Sequence, residues 1–393
     1  MKILLVSSYL PYPLYSGGQV RLYNLIKELS NKHEITLICE RRDESDDDLS
    51  EVEKICKQVI TVPRRKQWSV SNIIKAGFSS QSFLTTGHNL PDMKAKIKDL
   101  IAKEGFDLIH VETFYVMQNV PETTIPIVLV EHNIEYKVYE RFKLKAPIPL
   151  RPLLQLDITK IRKEEKACWK RASKVVAVSK DDAETINAFG INAAVVSNGV
   201  DIDKFSFKEH EIAKERKILF IGDYKWIQNQ DSVRFIINDI WQRIKEKEDR
   251  GNIKLWIVGR EIPDSIRSLT DDPDVLFDTE SSSLPTEEIF QQAAVLLAPI
   301  RVGGGTSYKI LESMSCGTPV VTMPLSANAL QAKDGEALLV GSDATELAQK
   351  IVTLLTDRAL YKRISKHSRT FIERNYTWKE IAKVLHDIYI KIV

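Results

Sequence analysis

Short apolar runs alternate with longer amphipathic stretches along this chain. KILLVSS, EITLICE, DLIHVE, IPIVLVEH, KVVAVS and AAVVSNG are rich in Val, Ile and Leu, and helices or loops separate each run from the next. Near-continuous apolar runs of this kind suit strands covered on both faces, so the order predicts a doubly wound parallel sheet. After SNGVDIDKFSF the alternation restarts with RKILFIGD, IKLWIVGR, DVLFD, AVLLAPI, GTPVVTM and EALLVGS. The prediction is an α/β protein with two Rossmann-like domains facing one another across a cleft, residues 1–205 and 206–375. A first helix is expected from about Gly18 to Asn31. The closing stretch NYTWKEIAKVLHDIYIKIV reads as an amphipathic helix, whose packing the pattern alone leaves undecided.

A length of 393 residues agrees with two domains, because single cores rarely grow beyond about 250–300 residues. Apolar residues make up 43% and charged residues 28%, ordinary globular usage, and a net charge of +2 gives no reason to expect nucleic acid as a partner. Cys39, Cys56, Cys168 and Cys316 are scattered without metal-ligand spacing and read as reduced thiols of a cytoplasmic protein. The opening MKILLVSSYLPYP turns polar at Ser7 and reads as a first strand rather than a leader. No run reaches the roughly eighteen apolar residues of a membrane span, so any membrane contact is expected to be peripheral.

In doubly wound sheets, ligands bind beyond the carboxyl ends of strands, where the winding reverses. Candidate residues stand there: Gly17 and Gly18 after the first strand, His132 after IPIVLVE, Gly222 after ILFI, Arg260 after LWIV, and the knot VGGGTSYKILESMSCGTPVV after VLLAPI. Gly303 to Gly305 strip side chains from the backbone, and Thr306 or Ser307 is expected to cap the helix that follows. A helix N-terminus with Lys309 in its first turn attracts phosphate. Glu312, one turn on, would repel phosphate but suits a ribose diol, and together they suggest a nucleotide sugar. The segment SSYLPYPLYSGGQVR contains no GxGxxG, which argues against a nicotinamide cofactor.

With these motifs in order, namely SGGQVRLYNLIKELSNKHEITLI, EHNIEY, VVAVSKDDAETI, SNGVDIDKF, the glycine knot with KILESMSCGTPVV, and NYTW, the chain resembles the retaining GT-B glycosyltransferases of family 4, in the subgroup with a GGGT-x-x-K loop. The resemblance spans nearly the whole length. It implies a nucleotide-diphosphate sugar in the C-terminal domain, a saccharide or lipid-linked acceptor in the N-terminal domain, and a last helix, residues 376–393, crossing back to the N-terminal domain. It further implies cell-envelope or exopolysaccharide synthesis and transfer on the front face without metal or cofactor. Glu312 matches the second glutamate of the family's Glu-x7-Glu motif and would hold the ribose. His132 matches the histidine beside the reacting sugar, and Gly18 the glycine beside the diphosphate. The first glutamate of the motif falls on Gly304 and is missing. In GDYKWIQNQDS, Asp223 stands where the family often has arginine, leaving Lys225 nearby. Lys309 and Arg301 are then the candidates for neutralising the diphosphate, with donor hydrogen bonds from Gly304, Gly305 and Thr306. Gly17, Arg21 and Asn133 are the acceptor-side candidates.

His132 has a plain alternative as a satisfied core histidine, and His110 is evenly divided between core and site. His33, His88, His210, His367 and His386 are expected on the surface or on helices. Asp46, Asp47 and Asp48 read as a solvated helix start, and no metal is assigned. From Lys137 to Lys174, twelve Lys or Arg oppose Glu140, Asp157, Glu164 and Glu165, a balance of +8, with apolar residues between them. This stretch is either a solvated helix or a face for an anionic membrane. Two other functions remain open: a nucleotide-sugar 2-epimerase, and a degenerate nucleotide-sugar-binding subunit, which the missing glutamate and the altered GDYK loop favour.

Overall fold

The computed structural model describes residues 1–42, 49–64, 72, 76–77, 79–209, 215–247, 252–301 and 305–393. Gly303, Gly304, Asp46 to Asp48 and His210 lie outside the described residues. The chain divides into two compact units, Met1–Ser197 with Ile381–Val393, and Asn198–Glu380.

The first unit holds seven strands, β1 (Lys2–Ser7), β2 (Glu34–Arg42), β3 (Gln58–Arg64), β4 (Leu108–Glu112), β5 (Ile127–Glu131), β6 (Lys174–Ala177) and β7 (Ala193–Val195), in the order β3-β2-β1-β4-β5-β6-β7. Every pairing between them is parallel. Strands β4 and β5 are buried along their whole length, as strands covered on both faces must be. Patterning did not single out β3. It lies at the sheet edge, is half-buried, and carries Pro63, so it lacks the continuous apolar run of a central strand. The first helix, α1 (Gly17–Leu29), starts at Ser16, whose hydroxyl accepts the Gln19 N–H at 3.4 Å. Two further helices, α2 (Glu135–Lys145) and α3 (Arg151–Arg171), lie between β5 and β6.

The second unit has six strands, β8 (Arg216–Ile221), β9 (Ile253–Val258), β10 (Val275–Asp278), β11 (Val295–Ala298), β12 (Val320–Thr322) and β13 (Leu339–Val340), ordered β10-β9-β8-β11-β12-β13 and again all parallel. Helix α4 (Tyr308–Cys316) follows β11. It ends at Gly317, whose φ of +81° only glycine adopts freely and whose missing Cβ leaves room for Phe207. The final helix, α5 (Trp378–Ile392), gives Ile381 onward to the first unit.

Each sheet has one point where the winding reverses, β1 beside β4 in the first and β8 beside β11 in the second. Those two crevices are where a doubly wound sheet takes its ligand.

Candidate active site

At the crevice of the second unit, β8 runs into Gly222 and β9 into Gly259. A Cβ on Gly259 would lie 2.1 Å from the Gly222 carbonyl oxygen, and one on Gly222 would lie 2.7 Å from the Asn229 side chain. Both glycines therefore serve close backbone approach. The GDYK loop folds on itself: Asp223 accepts the Lys225 N–H at 2.9 Å, and its carbonyl accepts the Asn229 amide at 2.8 Å. Asn229, so held, presents its carbonyl oxygen to Lys309, which donates to it at 2.8 Å. The Lys309 ammonium also sits 4.3 Å from the centre of the Phe220 ring, a favourable cation–π distance.

Lys309 and Glu312 lie on the same side of α4, three residues apart. Both are surrounded by protein yet keep part of their surface open. Burial pulls the Lys309 ammonium down to about 7, against a smaller opposing pull from Glu312. Burial pushes the Glu312 carboxyl up to about 7, with Glu287 adding to the rise and Lys204 and Lys309 opposing it. Glu312 makes no hydrogen bond among the described residues. A half-desolvated carboxylate with unspent acceptors suits a ligand rich in hydroxyl donors.

The caps of α4 depart from expectation. Ser307 occupies the N-cap position without a side-chain capping bond, and the Thr306 hydroxyl instead accepts the Asn198 N–H at 3.3 Å. The helix N-terminus is thus left without a side-chain cap at Ser307. Gly305 has φ of +80°. Arg301 forms a paired contact with Asp231, at 3.1 and 2.8 Å, and stacks over Phe235, so its guanidinium is already engaged. Lys225 is exposed, with Glu261 at 3.9 Å. Arg260 is exposed and makes no ion pair among the described residues.

At the crevice of the first unit, β1 leads to Gly17 and Gly18 at the start of α1. A Cβ on Gly18 would lie 2.9 Å from the Tyr9 hydroxyl oxygen and 3.8 Å from His132 Cε1, which puts the glycine backbone and the histidine side by side. Asn133 is exposed next to His132 and hydrogen-bonds Glu135. Arg21 corrects an acceptor-side expectation: it is fully buried and donates to the Ser197 and Val196 carbonyls at 2.7 and 2.8 Å, tying α1 to the segment after β7.

His132 is part of a buried polar chain that sequence reasoning did not find. Its Nε2 meets Glu112 Oε2 in a short contact, and the other carboxylate oxygen, Oε1, meets His110 Nε2 at 2.8 Å. His110 Nδ1 in turn meets the hydroxyl of Tyr389 on α5. Burial alone would raise the Glu112 carboxyl, but the two histidines against it, His132 foremost, hold it below the usual carboxylate range. Two further histidines expected at the surface or on helices are buried by partners. His88 meets Glu40 at 2.9 Å, and His33 meets His386 at 2.9 Å. The signal for Glu112 was present in DLIHVE, where two polar residues two apart share one face of an otherwise apolar strand.

Residues 15–204 match the family Glycosyltransferase Family 4, and residues 215–357 match Glycosyl transferases group 1. With two doubly wound parallel sheets, the chain belongs to the glycosyltransferases of GT-B fold. Over 397 aligned residues it is 23% identical to an uncharacterized 44.6 kDa protein in the cps region of Klebsiella pneumoniae, covering 97% of each. Among solved structures it is similar to sucrose-phosphate synthase of Thermosynechococcus elongatus, with TM-score 0.71 and 17% identity over 100% of this chain and 99% of the other. It is also similar to Anabaena HepE in complex with UDP-glucose, with TM-score 0.66 and 15% identity over the full length of both.

Proposed function

We propose that this glycosyltransferase moves a sugar, with retention of anomeric configuration, from a nucleotide-diphosphate donor to a saccharide or lipid-linked acceptor, in cell-envelope or exopolysaccharide synthesis. The observation that carries this reading is the pair of Lys309 and Glu312 on α4, half-desolvated, with the carboxylate unspent, beside an uncapped helix N-terminus at the sheet's reversal point. Lys309 and the backbone N–H groups of Gly305 and Thr306 face the diphosphate, and Glu312 accepts from the ribose hydroxyls. A similar fold that binds UDP-glucose supports a nucleotide sugar as donor.

In the reaction the bond between the anomeric carbon and the phosphate oxygen breaks, and the acceptor oxygen bonds to that carbon from the same face. The acceptor proton passes to the departing phosphate. Positive charge builds at the sugar and negative charge at the leaving group, so preorganised donors at the phosphate lower the barrier, each good one by about 3–4 kcal/mol. Lys309 and the helix end supply that charge, and no metal is invoked. His132, beside Gly18, orients the sugar through a hydrogen bond.

The acceptor side favours a lipid surface on the cytoplasmic face. On α2, α3 and the link between them, Phe142, Leu144, Ile148, Leu153 and Leu156 are 59–74% exposed. Three of the four acids of the same stretch turn inward: Asp157 accepts the Phe83 N–H, Glu164 the Ser82 N–H, and Glu165 the Glu135 N–H. Lys137, Arg141, Arg162, Lys163 and Lys170 are exposed along with these apolar side chains, a composition suited to an anionic bilayer. Co-sedimentation with anionic vesicles at low salt checks this; no binding refutes the membrane contact and leaves the transfer reading standing.

A thermal-shift screen against UDP, GDP, ADP and their common sugars tests the donor. One nucleotide should raise the melting temperature of the wild type and leave Glu312→Ala unmoved. No shift with any of them refutes the donor assignment.

A further inference from the structure

A buried carboxylate with two histidines on its two oxygens is a costly arrangement, and each contact it makes limits what the histidines can do. Glu112 is the last residue of β4 and has no exposed surface, while His132 keeps 18% of its side chain open toward the crevice. Glu112 is an acceptor at both oxygens when ionised, and the histidines place nitrogens on both. His132 must then present Nε2–H to Glu112, which leaves Nδ1 as the ring nitrogen available to a ligand. His110 likewise presents Nε2–H, so its Nδ1 accepts from the Tyr389 hydroxyl. Tyr389 is fully buried and meets the His110 ring edge-on, with centres 5.9 Å apart and planes at 88°. Each group in the chain sets the tautomer of the next, from α5 through β4 to the histidine beside Gly18.

We propose that Glu112 is the positioning residue for His132 in sugar transfer, and that Tyr389 of the last helix holds Glu112 in place through His110. This deepens the transferase reading and rests on it for the word transfer. It does not rest on it for the tautomer, which is a property of the folded chain. Orientation of a histidine by a buried carboxylate is a general device, and replacing such a carboxylate by its amide can cost up to ~10⁴-fold in turnover through the wrong tautomer. In Glu112→Gln one face of the amide still accepts but the other donates, so one of the two histidines must present a lone pair in place of its N–H.

The test uses the full chain labelled with ¹⁵N-histidine, in wild type, Glu112→Gln and Tyr389→Phe, with nucleoside diphosphate affinity and transfer rate measured on the same samples. The wild type should show the His132 ring as the Nε2–H form. Glu112→Gln should change the ring pattern of His132 or of His110, whichever faces the amide nitrogen, and lower kcat by up to roughly 10⁴-fold, with nucleoside diphosphate affinity within about twofold of wild type. Tyr389→Phe removes one hydroxyl and keeps the packing; it should alter the His110 ring signals and lower kcat by roughly threefold to thirtyfold. Unchanged ring signals of both His110 and His132 in a folded Glu112→Gln protein, or full turnover in that variant, would overturn the proposal. If the wild type binds donor but transfers nothing, the transferase reading fails, and the ring signals still decide whether Glu112 sets His132.

Discussion

Replacing Lys309 by methionine should remove the alkaline limb of nucleoside diphosphate binding. In the empty protein the ammonium is held down to about 7, against an ordinary value of 10.5, because burial penalises the charge more than Glu312 rewards it. A diphosphate seated at the start of α4 favours the charged form, so the bound protein holds this proton to much higher pH. The sign follows: affinity is full where free Lys309 is already protonated and falls as pH rises past about 7. The protonated fraction drops from about one half at pH 7 to about one hundredth at pH 9, so the dissociation constant should rise about fifty-fold, or about 2.3 kcal/mol. Glu312, also at about 7, completes its ionisation in the lower part of this range, so the segment from pH 8 to 9, where it is already largely ionised, reads Lys309. Calorimetric titration from pH 6.5 to 9.5 in buffers of different ionisation enthalpy reads both the affinity and the uptake of one proton. Lys309→Met should bind weakly at pH 7 and change little toward pH 9, where the wild type approaches it. Equal affinity of the wild type at pH 7 and 9, or the same slope in Lys309→Met, refutes the role given to this lysine.

Gly222→Ala places a methyl group 2.7 Å from Asn229 and should shift the amide that holds Lys309, weakening nucleoside diphosphate binding by roughly tenfold in the same calorimetry while leaving the fold intact by circular dichroism. Glu131, buried beside Glu165, has its carboxyl raised well above the ordinary range by burial and by that like charge, with the Trp169 indole donating to it at 2.9 Å. Its contribution to stability is full below its unfolded value and is lost as pH rises, so the melting temperature of Glu131→Gln minus that of wild type should grow between pH 5 and 8.5, by roughly 2–4 °C for each kcal/mol; a constant difference refutes this. Gly18→Ala drives a methyl group to 2.9 Å from the Tyr9 hydroxyl oxygen and toward His132, and should lower transfer more than tenfold; full transfer by this variant refutes the close approach at Gly18.

The two parallel sheets were legible because their central strands are buried on both faces and so appear as unbroken apolar runs. The edge strand β3 was hidden because an edge needs no such run. At the site, the residues after strands were legible: Gly18, Gly222 and Lys309 stand at carboxyl ends of strands or at the start of the following helix, and sequence order is enough to put them there. What each side chain touches was not. Arg21, an acceptor-side candidate, is buried on carbonyls, and Arg301, a diphosphate candidate, is paired with Asp231, partners 175 and 70 residues away. Glu112 was overlooked although His110 and Glu112, two apart in DLIHVE, share one face of an apolar strand. Its meaning comes from His110, His132 and Tyr389, gathered from two strand ends and the last helix.

The measurement that tests the account most directly is transfer of radiolabelled sugar from the nucleotide donor found by thermal shift into a cell-envelope lipid and saccharide extract, with the anomeric configuration of the product read by NMR. The wild type should give labelled product with the configuration of the donor, and Glu312→Ala none. Donor binding with no product from any fraction, or product of inverted configuration, would contradict transfer with retention.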